Sequence, residues 1–346
     1  MKIAVVCPYD LGAVGGVQGQ VGSLVEWLRE AGHEAWAVAP GSGGPAGTRH
    51  VGPVLKVPAN RSRAPITLDP RAVSRVRAAV AGADVVHVHE PLVPMTGPAA
   101  LYAGEAPRVG TFHADTSAMM RRFYRGAAPL LRRLMRRLAV ATAVSPVAAE
   151  GVGAFTAVQI VPNGLDTARY RVGEARVPRR VVFLGRDDPR KGLDILLQAW
   201  PLVAAGVPGA ELRVLGAQRP SGPEGVVFLG RVEEEEKLRE LGEAAVLCAP
   251  NLGGESFGLI VAEGLAAGCA VVASDLPAFR HVAGEAAHLV PPGDAAALSR
   301  ALTEVLSDEG EVARLSGMGR HQVARFDRAA VLAGYLEAYR LALGGP

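Results

Sequence analysis

The feature that most constrains the fold is a rhythm that runs along the chain twice. Short apolar runs bounded by turn residues alternate with stretches of helical periodicity. In the first half the runs are Ile3–Cys7, Ala35–Ala39, Val85–Val88, Val109–Phe112 and Ala139–Val144. They lack polar alternation, as expected of parallel strands covered by helices on both faces. After Pro162-Asn163-Gly164 and a charged stretch around Glu174–Arg180 the rhythm restarts with Val181–Leu184, Leu212–Leu215, Val226–Leu229, Val246–Ala249, Ala270–Ala273 and His288–Val290. Such alternation predicts an α/β chain of two Rossmann-like, doubly wound parallel-sheet domains facing a central cleft. With 346 residues, 49% of them hydrophobic, the chain can fill two cores of ordinary size.

The segment between Arg169 and Pro178 is polar and Pro-bounded, the composition of a hinge. The expected division is therefore an N-terminal domain over 1–168, a C-terminal domain over 169–326 and a final helix over 327–346 that crosses back to the first domain. Leu332, Tyr335, Leu336 and Tyr339 share one face of that helix. Cys7, Cys248 and Cys269 lie far apart, in or beside apolar runs, and read as buried, reduced thiols. The apolar run after Lys2 is too short for a signal segment and no stretch reaches eighteen apolar residues, so an intracellular chain that does not span a membrane is expected. Net charge is only +3, so attraction to an anionic partner must come from local clusters.

Open α/β sheets bind ligands beyond the carboxyl ends of their strands, so the chemistry belongs in those loops. After the first strand, Gly15-Gly16-Val17-Gln18 leads into a helix, where glycine permits close approach and free N–H groups favour an anionic diphosphate. The G-x-G-x-x-G spacing of a dinucleotide fingerprint is absent here, which disfavours an oxidoreductase. In the second half Arg186 and Lys191 flank the end of a strand and the start of a helix, where two cations can neutralise a diphosphate leaving group. Further on, Leu252-Gly253-Gly254-Glu255-Ser256-Phe257-Gly258 precedes a helix that carries Glu263 among Leu259, Ile260, Val261 and Leu265. A carboxylate in such company needs partners; ligand hydroxyls are the natural ones, an internal salt bridge the alternative. Helical rise sets the two acids roughly 12 Å apart, about the span from a nucleotide's ribose to the sugar beyond its diphosphate.

Glu255 and Glu263 form an E-x7-E pattern. With Gly15-Gly16-Val17, Thr111-Phe112-His113, Val161-Pro162-Asn163-Gly164 and Arg186…Lys191, the chain resembles the retaining GT-B glycosyltransferases of the sucrose-synthase-like family. Cys7-Pro8-Tyr9, His87-Val88-His89-Glu90-Pro91 and Leu252–Gly258 are similar in detail to the actinobacterial phosphatidylinositol α-mannosyltransferases. The resemblance spans nearly the whole chain. It implies that Glu255 hydrogen-bonds the donor sugar, with Gly254, Ser256, Phe257 and Gly258 around it. It gives Glu263 to the ribose, Arg186 and Lys191 to the diphosphate, and the backbone at Val232 to the base. Gly16 would let its loop close over the phosphates, and His113 would lie beside the reaction centre, its carbonyl or imidazole steering the sugar. Tyr9 and Gln18 match positions that touch the inositol ring. The implied reaction moves mannose from GDP-mannose, with retention, to phosphatidylinositol. Other readings are a UDP-sugar donor, another lipid or a soluble inositol phosphate as acceptor, or a nucleotide-sugar-binding protein without catalysis.

Two departures bear on the acceptor. Ala114-Asp115 replaces the small hydroxyl residue that follows the histidine in the relatives, and Pro65 stands about where they carry a phosphate-binding arginine. Asn60 and Arg63 are the acceptor-binding candidates nearby. His87, His89 and Glu90 alternate on a strand but lack a further ligand cluster, so no resident metal or other cofactor is expected, with a divalent cation such as Mg at most assisting. From Thr116 to Ala149 there is no acidic residue, while Arg121, Arg122, Arg125, Arg132, Arg133, Arg136 and Arg137 are interleaved with Leu130, Leu131, Leu134, Met135 and Leu138. This reads as a basic amphipathic helix for an anionic leaflet, the chain being peripheral at the cytoplasmic face of the membrane, with Arg71, Arg75 and Arg77 as a second basic set. Without interleaved aromatic platforms it does not read as a nucleic-acid surface.

Overall fold

Parallel pairing follows directly from the apolar runs. The computed structural model of the protein describes residues 1–59, 62–170 and 176–345, without the side chains of Pro58, Ala59, Ser62 and Arg63. Strands β1 (Lys2–Val6), β2 (Glu34–Ala39) and β3 (Arg49–His50) come first, then an antiparallel pair, β4 (Leu55–Ala59) and β5 (Ser62–Ile66). Then follow β6 (Val85–His89), β7 (Arg108–Phe112), β8 (Val140–Ala143) and β9 (Gln159–Ile160). Apart from β4 and β5 these make one parallel sheet in the order β3-β2-β1-β6-β7-β8-β9. The second sheet holds β10 (Val177–Leu184), β11 (Glu211–Leu215), β12 (Val226–Gly230), β13 (Ala244–Ala249), β14 (Ala270–Ser274) and β15 (Ala287–Val290), in the order β12-β11-β10-β13-β14-β15.

The two units comprise residues Met1–Gly164 with Arg328–Pro346, and residues Leu165–Asp327. In the first, Ile3, Val5, Leu24 and Leu28 form a core with Tyr335 and Tyr339 of the final helix, Arg328–Ala342. In the second, Leu196, Trp200, Leu212 and Leu302 are fully buried together. Chain order reverses between β1 and β6 in one sheet and between β10 and β13 in the other. Loops diverge at such switch points and leave room for a ligand beyond the carboxyl ends of the strands.

The structure also contains elements the periodicity did not signal. β3 and β9 are two-residue edge strands, and Pro58 and Pro65 interrupt the strand signal of β4 and β5. The single basic helix expected through Arg121–Arg137 is instead two, Ala118–Gly126 and Ala128–Met135. Gly126 and Ala127 end the first, and Pro129, suited to a helix's first turn, opens the second. The leucine stripe divides accordingly. Leu131 and Met135 turn into the unit's own core, whereas Met119, Phe123 and Leu130 are 79%, 62% and 70% exposed beside the arginines. All three cysteines are free and buried.

Candidate active site

In the second unit the loops after β10 and β13 are brought into contact by backbone geometry. Gly192 has φ +71, and a Cβ there would stand 1.9 Å from the Pro250 carbonyl oxygen, so only glycine allows this approach. The Leu252 amide donates to the Arg190 carbonyl (2.8 Å) and closes the same contact. Lys191 thereby reaches Glu255, donating to its Oε1, and Asn251 Nδ2 donates to that same oxygen (2.7 Å). Asn251 is 1% exposed and its Oδ1 is buried with no partner among the described residues. Glu255 is thus held at one oxygen, and Oε2 has no protein partner among the described residues.

Glu263 sits in the helix Leu259–Ala266, which begins after Gly258 in a left-handed turn. Its Oε1 accepts from Lys237 Nζ (2.8 Å) and from the Tyr170 hydroxyl (3.1 Å). The internal salt bridge weighed as the alternative partner is therefore present, and it engages one oxygen of the two. Burial works against the Lys237 charge, but Glu263 and Glu234, the latter at 2.9 Å, outweigh it and raise its pKa. Burial, and next the Glu263 charge, push the Tyr170 phenol up, so it stays a donor. Lys237, Tyr170 and Asn251 were not singled out from the sequence. Lys237 lies within a charged helix face that reads as solvated, and the other two lie in loops without a motif.

Of the remaining donor candidates, Arg186 is exposed just past β10 and makes no ion pair among the described residues. Val232 follows β12 in a partly exposed loop, and Gly254 and Ser256 flank Glu255. Phe257 is 3% exposed and packs edge-on against Phe326, so only its backbone can face a ligand.

The first unit arranges its polar residues differently. His113, beyond β7, is buried, and its Nε2 meets His89 Nδ1 at 2.7 Å. Burial above all holds the His113 and His87 imidazoles down to about 3 and His89 well below its usual value, so all three are neutral. With the ring engaged inward, the His113 carbonyl is the better candidate for steering a sugar. Thr142 donates to the Gly110 carbonyl, so Thr111 donates to Thr142 (2.6 Å), His87 Nε2 donates to Thr111 (2.6 Å) and the Tyr339 hydroxyl donates to His87 Nδ1 (2.7 Å). This chain gives His87 a partner at both ring nitrogens, whereas His89 Nε2 is buried with no partner among the described residues. Among the described residues no three His, Cys, Asp or Glu side chains gather to hold one.

Glu90 adopts a left-handed φ of +49, and its carboxylate accepts from the His113 amide (2.6 Å). Burial pushes its carboxyl up to about 7, although the N–H groups of His113 and Ala114 pull the other way. Tyr9 and Asp10 pair with the backbone of Ile66 and Pro65, so Tyr9 adjoins the pair β4–β5. Gln18 lies in the first turn of the helix Gly16–Glu30, with its side-chain amide over Gly15, and Gly16 is exposed at that helix start. Asn60 lies outside the described residues; Arg63 is on β5, paired by backbone with Pro58, and its side chain is outside them too. Among the described residues no helix is long and apolar enough to cross a membrane.

Two doubly wound units, with acids and cations at the strand ends of the second, define a GT-B glycosyltransferase. Residues 14–169 match the model of Glycosyltransferase Family 4 and residues 178–308 that of Glycosyl transferases group 1. The phosphatidyl-myo-inositol mannosyltransferase of Mycolicibacterium smegmatis is 38% identical, covering 99% of this chain and 95% of the relative. That of Propionibacterium freudenreichii is 35% identical over 94% and 91%. In fold the chain is similar to sucrose-phosphate synthase from Thermosynechococcus elongatus (TM-score 0.73, 20% identity, 99% of each chain). It is also similar to Anabaena HepE in complex with UDP (TM-score 0.77, 16% identity, 97% of this chain and 99% of that one). The chain belongs to the glycosyltransferase family that contains these phosphatidyl-myo-inositol mannosyltransferases.

Proposed function

We propose that the enzyme transfers mannose from GDP-mannose, with retention of the α configuration, to an inositol hydroxyl of phosphatidylinositol at the cytoplasmic face of the membrane. The observation that carries the reading is the state of the two acids. Glu255 and Glu263 each have one oxygen held by protein donors and the other without a protein partner among the described residues, open to a hydroxyl. Glu255 orders the donor sugar and Glu263 the ribose, while Lys191 and Arg186 meet the diphosphate whose charge grows as the glycosidic bond breaks. The acceptor hydroxyl attacks from the face the nucleotide leaves, and its proton passes to the departing phosphate. The names of the relatives support mannose and the inositol lipid.

Incubating the enzyme with lipid extract and a panel of GDP- and UDP-sugars, then reading released nucleotide and product mass, tests this. GDP release with a mannosylated inositol lipid is expected, and UDP release or a different acceptor would refute the assignment. The exposed Met119, Phe123 and Leu130 among arginines support peripheral docking, each cation near an anionic surface contributing about 1 kcal/mol. Equal sedimentation with neutral and phosphatidylinositol-containing vesicles would refute the docking.

A further inference from the structure

Tyr170 has no part in the motifs that mark the donor site, yet its hydroxyl ends on the acid proposed for the ribose. Its backbone is well anchored. It caps the short 3-10 turn Thr167–Arg169, whose first residue donates from both its amide and its hydroxyl to the Asp327 carboxylate, and the Leu165 amide donates to the Phe326 carbonyl (3.0 Å). Its neighbour Arg169 lies 3.6 Å from Glu234, which also pairs with Lys237. Arg169, Glu234, Lys237 and Glu263 alternate in charge, and Tyr170 completes the circuit with a neutral donor.

Both donors converge on Oε1 of Glu263. A carboxylate gripped there by two groups from different elements is restrained about its last torsion, so Oε2 is aimed before any ligand arrives. A group ordered in advance loses less freedom on binding, and its hydrogen bond is correspondingly stronger. We propose that Tyr170 is a positioning residue that aims Glu263 Oε2 at the cis-diol of the donor's ribose, and so sets how strongly the enzyme distinguishes a ribonucleotide from a deoxynucleotide. The proposal rests on the assignment of Glu263 to the ribose. Removing the phenol oxygen leaves Lys237 as the one donor to Oε1 among the described residues, and the carboxylate can then turn.

Calorimetric titration of the full chain with GDP, 2′-deoxy-GDP and 3′-deoxy-GDP separates the possibilities. For the unaltered enzyme, loss of the hydroxyl that meets Glu263 should weaken binding about 10-fold, as for a hydrogen bond to a charged group. Glu263→Gln should bring that ratio close to one. Tyr170→Phe should reduce it to about threefold or less, by weakening GDP while leaving the deoxy analogue nearly unchanged. If Glu263→Gln collapses the ratio and Tyr170→Phe keeps it, or weakens GDP and its analogues alike, Tyr170 is merely structural and the proposal is overturned while the ribose assignment stands. A ratio untouched in Glu263→Gln, or absent from the unaltered enzyme, overturns the ribose assignment and this inference with it.

Discussion

The two units place polar residues at equivalent points of similar sheets and use them in opposite ways. Around β10 and β13, Lys191, Lys237, Glu255 and Glu263 are charged, partly exposed and half satisfied. Around β6 and β7, His87, His89 and His113 are neutral and buried; His87 is bonded at both ring nitrogens, to Thr111 and Tyr339, and His89 to His113, which leaves His89 Nε2 as the buried ring nitrogen without a partner among the described residues. A half-satisfied charge costs little where water reaches it and can be completed by a ligand. In the interior an unmet partner costs the full desolvation of the group, so bonding there must be nearly closed. The charged cluster of the second unit is arranged so that a charged ligand can complete it, and the histidine cluster of the first is arranged to hold a shape. Substitutions should therefore affect catalysis in one and stability in the other.

The sharpest break is Glu255→Ala. It should lower kcat by roughly 10²–10³-fold, the scale for losing one fixed partner of a developing transition state, with the thermal midpoint little changed. Nucleotide affinity should hold, since Lys191 is released to the diphosphate. Steady-state rates beside calorimetry check this, and near-normal turnover would remove Glu255 from the donor site.

Acid should act on the other unit. The ordinary imidazole value is 6.5; burial lowers the folded values of His87 and His113 to about 3 and holds that of His89 well below its ordinary value. As pH falls below about 6.5 the unfolded chain takes up these protons first, so their contribution is complete above that pH and is lost on the way down. Glu90, raised from 4.5 to about 7, opposes this by binding its proton more readily when folded. Three imidazoles against one carboxyl leave about two net protons between pH 4.5 and 6.5, a slope of at most about 3 kcal/mol per pH unit. Denaturant unfolding across that range measures it, and a flat profile would mean the imidazoles are not held neutral.

Lys191→Ala should weaken nucleotide binding about 10- to 100-fold, the range for a hydrogen bond to a charged group, and slow transfer too, because Glu255 keeps Asn251 but loses its countercharge beside the diphosphate. Unaltered affinity for nucleoside diphosphates would sink its role. The smallest effect is Tyr339→Phe, which orphans His87 Nδ1. Stability should fall by about 1–3 kcal/mol by denaturant titration, with kcat preserved. A loss of turnover without loss of stability would contradict the division between the units.

Much of this was legible in order along the chain. Buried parallel strands read as unbroken apolar runs, so the long strands of both sheets were visible, whereas the close approach that requires glycine at 192 was not. Glu263 stood out because an acid among apolar helix positions requires an explanation, and Glu255 because it lies in the glycine-rich loop before that helix. The break at Gly126 did not, since arginines and leucines keep helical spacing across it and a turn is cheap there. Local pattern determines strands, helices and the acids they carry, because those depend on neighbours a few residues away. Which donor holds which oxygen was decided only by tertiary structure. Tyr170 meets Glu263 across 93 residues of chain and Tyr339 meets His87 across 252, and no periodicity encodes a contact that exists only once the chain has packed.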